Sequence, residues 1–193
     1  MPRKSRYWFP GATYHVYARG NRKEDIFRDD HDRRKYLYYL NDTRDKLPFI
    51  LHAYCLMSNH VHLLLQTEKV PTEQIFRLLH TRYAMYFNNR HELVGHVFQD
   101  RYNAILLESP SAFIKVSRYI HLNPVEANLV ESPEQYPWSS FSSFNTSKND
   151  PYISKDRTLS FFTETKPTRE QQYKNYVEQW SDQIKIKESI TLK

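Results

Sequence analysis

The sequence predicts an α+β fold, a ferredoxin-like split β-α-β antiparallel sheet with helices on one face. Three observations point there. Hydrophobic periodicity runs in the order β-α-β-β-α-β before a last helix, the order of a split β-α-β unit. Two apolar runs in the middle meet at Ser58-Asn59, which reads as a tight hairpin. A hydrophobic content of 39%, with 15% aromatic residues, gives the 193 residues enough apolar surface for one core and a small appendage.

Each element has its own reason. TYHVYARG (13–20) alternates, is rich in β-branched and aromatic residues and ends at Gly20, so it is a strand. HDRRKYLYYLNDTRDKL (31–47) carries Tyr36, Leu37, Tyr39 and Leu40 at helical spacing, with Asp29 or Asp30 as N-cap and Pro48 behind it. FILHAYCLM (49–57) and HVHLLLQ (60–66) are the hairpin strands. TEQIFRLLHTRYAMYFNNR (72–90) has an apolar stripe through Ile75, Leu78, Leu79 and Tyr83, with Thr72 as the expected cap. FQDRYNAILLE (98–108) is a fourth strand, with a bend expected near Asp100. SPSAFIKVSRYIHLN (109–123) is a helix capped by Ser109 or Ser111, and Pro124 ends or bends it. Beyond Phe144 the chain turns polar, and 145–193 reads as a C-terminal appendage, partly helical, with a frayed end near IKIKESITLK.

Composition narrows the function. One cysteine, Cys55, excludes an internal disulfide and a multi-cysteine zinc site. MPRKSRYWFP has no apolar signal segment and no run reaches the length of a membrane span, so a soluble cytoplasmic protein is expected. The net charge is +6, and residues 1–23 hold Arg3, Lys4, Arg6, Arg19, Arg22 and Lys23 with no acidic side chain. Tyr7, Trp8, Phe9, Tyr14 and Tyr17 interleave with them. Cations neutralise phosphates and aromatic faces stack on unpaired bases, so the mixture suits single-stranded nucleic acid; a solvated basic surface beside an aromatic core is the bland alternative.

The one unusual motif is His60-Val61-His62. On a strand these histidines share a face with Leu64, while Val61, Leu63 and Leu65 face the helices. Their Cα atoms are then about 6.6 Å apart, close enough to converge on one divalent ion. A lone His-x-His pair is more often structural than ligating. His15, His31, His52, His80, His91, His96 and His121 do not pair this way and read as surface or capping residues. A third ligand could come from the 109–123 helix, where Tyr119 and Asn123 are neighbours on one face and Lys115 lies one turn earlier. By spacing alone Tyr119 is a boundary aromatic and Asn123 a helix-end residue as readily as nucleophile and ligand.

Several motifs agree on a family. SNHVHLLL resembles the HUH motif of single-tyrosine transposases, and RYIHLNPVEANLV resembles the tyrosine-bearing helix of REP-associated tyrosine transposases. GHVFQDRYNAILLE and YPWSSFSSF are similar to further segments of that branch, so the resemblance covers residues 6–144. It implies a catalytic domain over 1–144, with Tyr119 as nucleophile and His60, His62 and Asn123 as ligands of Mg²⁺ or Mn²⁺. It also implies cleavage of single-stranded DNA beside a REP-like hairpin through a 5′-phosphotyrosine, by a monomer or homodimer. Arg3, Lys4, Arg6, Tyr7, Arg19, Arg22 and Lys115 are the expected DNA contacts. Glu126 departs from the basic residue common in the family after Asn-Pro-Val. The rival readings are a non-cleaving DNA-binding regulator on the same fold and a metal-dependent phosphoesterase.

Overall fold

The elements follow in the expected order: β1 (Thr13–Arg19), α1 (Asp30–Lys46), β2 (Phe49–Leu56), β3 (His60–Thr67), α2 (Thr72–His91), β4 (Asn103–Leu106) and α3 (Pro110–Glu126). The structure, a computed structural model, describes residues 7–144, 150–164 and 166–179. After α3 come 3-10 turns at Pro133–Gln135 and Ser140–Phe144, a short helix α4 (Asp156–Leu159) and a helical run α5 over 169–179. The expected frayed end near IKIKESITLK lies outside the described residues. The sheet is antiparallel in the order β2-β3-β1-β4, the split β-α-β topology.

Strand alternation divides the core in two. Tyr14, Val16, Ala18, Val61, Leu63 and Leu65 pack with Tyr36, Leu40, Ile75, Leu79 and Tyr83 of α1 and α2. On the other face Leu64, Ala53 and Cys55 pack with Phe113 and Ile120 of α3. So α1 and α2 cover one face, and α3 crosses the face that carries the histidines.

Local chemistry explains the boundaries, and in places corrects the reading from sequence. Asp29 caps α1, its Oδ1 accepting from the His31 and Asp32 amides at 2.9 and 3.0 Å. Ser109 caps α3 through the Ala112 amide at 3.1 Å. Thr72 does not cap α2: Pro71 holds that position, and the Thr72 hydroxyl accepts from Tyr102 Oη at 3.0 Å. The fourth strand is much shorter than 98–108. Phe98 stacks on His80 at 4.1 Å and Tyr102 on Phe76 at 4.5 Å, so these aromatics pack into the α2 seam; the continuous ladder holds over Asn103–Leu106, with one isolated bridge from Phe98 to Gly20. Pro124 does not end α3, which runs on to Glu126.

The hairpin loop before His60 is gripped from several sides. Gly20 donates to Asn59 O at 2.8 Å, and the Ile26 and Phe27 amides both donate to Ser58 O. The chain must fold tightly after β1 to do so: a Cβ at Gly20 would meet Glu24 O at 2.0 Å, so only glycine has room there. At the other edge, Leu56 and Ser154 amides bond Trp138 O and Leu51 O, covering the outer side of β2. Among the described residues no helix is long and apolar enough to cross a membrane.

Several histidines expected at the surface are buried, among them His52, His80 and His121. Burial lowers His80 and His121 to about 3 from 6.5. The unfolded chain therefore binds protons more readily, so this stability is complete above 6.5 and is lost as pH falls toward 3. Near pH 5 each ring should cost about 1.4 kcal/mol per pH unit. Melting temperatures should fall between pH 7 and pH 5, and His80→Phe should flatten the fall; an unchanged slope would refute the assignment.

Candidate active site

β3 presents His60 and His62 on the α3 face, their rings 5.0 Å apart and nearly perpendicular at 86°. α3 crosses above them and supplies two residues one turn apart. Asn123 is buried, its Oδ1 3.2 Å from His60 Nε2. Tyr119 stands edge-on to His62 at 5.5 Å and remains 39% exposed, so a polymer can reach its hydroxyl. Thus His60, His62, Asn123 and Tyr119, four residues singled out in the sequence, meet in one place.

Two neighbours were not singled out. Asn59 Nδ2 donates to Lys23 O at 3.2 Å, which turns its Oδ1 toward His60 Nδ1 at 2.6 Å. His60 Nδ1–H then donates to Asn59, and Nε2 keeps its lone pair on the Asn123 side. His15, expected at the surface, is buried, with Nε2 3.0 Å from His62 Nδ1 and its ring stacked at 5.2 Å. If His62 donates there, its Nε2 is likewise free. Both signals were readable: Asn59 directly precedes His60, and strand alternation sets His15 opposite Tyr14 and Val16.

Electrostatics keep the pair neutral. Burial lowers His60, partly offset by Asn123, with Arg19 adding to the lowering. Burial lowers His62 to about 3, reinforced by His15, His60 and Arg19. Neutral imidazole is the ligating form. Among the described residues no group of three or more His, Cys, Asp or Glu is gathered to hold a metal ion. The candidate donor set is therefore two imidazoles and a carboxamide.

A family model described as Transposase IS200 like matches residues 9–123, more than half of the chain. The chain belongs to the IS200-like transposase family. A transposase family implies an enzyme that cleaves DNA and transfers strands. The fold of this family member is similar to a REP-associated tyrosine transposase solved bound to a REP hairpin, with a TM-score of 0.64. That match has 16% identity and covers 80% of this chain and 98% of the other. A candidate transposase from Deinococcus radiodurans R1 matches at a TM-score of 0.44 and 18% identity, covering 61% of this chain and 95% of its own. No curated protein matches.

The expected DNA contacts of this transposase-family chain are dispersed. Arg3, Lys4 and Arg6 lie outside the described residues. Arg19 is exposed at the end of β1, opposite His60 in register, and Arg22 is exposed in the following turn. Lys115 is exposed on α3 one turn before Tyr119. Tyr7 is exposed but away from the histidines: its carbonyl accepts from Tyr14 Oη at 2.8 Å, and Tyr14 belongs to the α1–α2 core.

Proposed function

We propose that this chain cleaves and rejoins single-stranded DNA at hairpin-flanked, REP-like repeat sites, through a 5′-phosphotyrosine at Tyr119. The observation that carries this reading is the meeting of Tyr119, His60, His62 and Asn123 on one sheet face. The similar fold solved with a REP hairpin supports that substrate class.

The Tyr119 hydroxyl oxygen attacks the scissile phosphorus in line. A phosphorus–oxygen bond forms to the phenol oxygen and the bond to the 3′ oxygen breaks. The phenol gives up its proton and the departing 3′ oxygen gains one, leaving a 5′-phosphotyrosine and a 3′-hydroxyl. One ester replaces another, so no nucleotide is consumed and the reverse step rejoins strands.

His60, His62 and Asn123 fit a divalent cation, Mg²⁺ or Mn²⁺: all three donors are neutral, Asn59 on His60 Nδ1 leaves that ring's Nε2 lone pair available, and the tautomer in which His62 Nδ1 donates to His15 does the same for His62. When bound, it would supply charge neutralisation at the phosphate. The chain itself orients the imidazoles, carries the phenol on a rigid helix, and offers Arg19, Arg22 and Lys115 to flanking phosphates.

The test is incubation of the full chain with a 3′-labelled single-stranded hairpin and Mn²⁺, beside a duplex control. A denaturant-stable protein–DNA band that chelator abolishes is expected on the single strand alone. Cleavage to a free 5′-phosphate with no band would defeat the proposal.

His15 makes a separate prediction. His15→Phe keeps a ring beside Tyr119 but leaves His62 Nδ1 without an acceptor. Mn²⁺ affinity of the DNA-free protein, by titration calorimetry, should fall about tenfold. Unchanged affinity would remove His15 from the site.

A further inference from the structure

The back of α3 carries a buried polar chain that the chemistry above does not use. Ser117 and His121 are one turn apart, as Tyr119 and Asn123 are, and the two pairs are offset by two residues. At about 100° per residue they lie on nearly opposite sides of the helix. Tyr173 of α5 reaches both members of the back pair, its hydroxyl 2.7 Å from Ser117 Oγ and 2.6 Å from His121 Nδ1. His121 Nε2 meets Ser140 Oγ at 2.8 Å, and Ser140 Oγ in turn accepts from the Tyr54 amide of β2 at 2.9 Å. Ser117, His121, Ser140 and Tyr173 are all fully buried.

We propose that α5 is a clamp that sets the rotation of α3 and thereby aims Tyr119 and Asn123 at the histidine pair, with Tyr173 and His121 as its positioning residues. The inference rests on Tyr119 as the nucleophile. Phe141, Phe144, Val177 and Leu122 surround the polar chain, but apolar contact is non-directional and tolerates a turn of the helix. Hydrogen bonds do not, because they weaken steeply off line. The chain also runs to β2 of the sheet that carries His60 and His62, so helix and ligand strand share one reference. The leverage is large. A side-chain tip stands about 5–6 Å from a helix axis, so a 10° turn moves it about 1 Å. A misplacement of that size costs about 100-fold in rate. Neither Ser140 nor Tyr173 lies in the 9–123 span of the family match.

The test compares the full chain with Tyr173→Phe, which removes one oxygen and keeps the ring. Hydrogen exchange of α3 amides is read in the free protein. Hairpin affinity and the rate of adduct formation at saturating DNA are read separately. The clamp predicts faster exchange in α3 with α1 and α2 unchanged, unaltered hairpin affinity, and an adduct rate lowered about 10- to 100-fold. Unchanged α3 exchange would overturn it, as would faster exchange with a wild-type adduct rate. A lowered rate matched by equally weakened DNA binding would reduce Tyr173 to a structural residue and also overturn it. If even the wild-type chain forms no adduct, the clamp's aiming role falls together with the nucleophile, while faster α3 exchange in Tyr173→Phe still separates a held helix from an unheld one.

Discussion

Tyr119→Phe should bind a hairpin oligonucleotide as wild type does and form no denaturant-stable adduct with it. The substitution removes only the attacking oxygen. The ring stays, so the edge contacts with His62 at 5.5 Å and His15 at 5.7 Å survive and the fold should be unperturbed. Hairpin affinity should therefore hold to within about twofold, while strand cleavage falls by roughly 10⁶-fold, the order lost when a nucleophile alone is removed. Binding by gel shift and adduct by denaturing gel separate the two effects. The nearest rival is Tyr17, whose ring is 6.0 Å from His62. An adduct that survives in Tyr119→Phe and disappears in Tyr17→Phe would move the nucleophile to β1.

The second large effect is on stability. Asp32 is fully buried near the start of α1, where burial pushes its carboxyl up. The Arg28 amide, Arg90, Tyr86 and His91 outweigh that and hold it below the usual carboxylate range. The bonds are 2.9 Å from the amide, 2.5 Å from Arg90 Nη1, 2.9 Å from Tyr86 Oη and 3.0 Å from His91 Nε2. They tie the start of α1 to the end of α2. Asp32→Ala leaves the Arg28 amide, Tyr86 Oη and His91 Nε2 facing a void and Arg90 paired with Asp29 alone, which should cost about 3 kcal/mol and lower Tm by roughly 6–12 °C. The sign with pH follows from the lowered carboxyl. Its stabilisation is present above the unfolded value of 3.8 and is lost as pH falls through the folded one, so wild type and Asp32→Ala should converge in acid. Equal melting temperatures at neutral pH would show that the network contributes nothing.

How far the site was readable follows from these same residues. The face shared by His60 and His62, and the face shared by Tyr119 and Asn123, are consequences of a two-residue and a 3.6-residue repeat. Both are written locally. The shortened β4 was not readable, because Phe98 and Tyr102 satisfy a strand pattern as well as they fill the α2 seam. Thr72 looked like a cap because the partner that occupies its hydroxyl, Tyr102, lies far along the chain. The face of His15 was readable from strand alternation but its companion, 47 residues away, was not, and the clamp residue Tyr173 was missed because its partners are 56 and 52 residues away.

By itself, then, the sequence determined the order of strands and helices, the topology and the outward direction of each reactive side chain. Only the tertiary structure decided that β3 and α3 cross where His60 and Asn123, 63 residues apart, meet, and which neighbours hold their rings. The division has a physical cause. Side-chain direction is set by backbone stereochemistry over a few bonds, whereas proximity across the chain is set by strand register, buried hydrogen bonds and packing, which depend on all the elements at once.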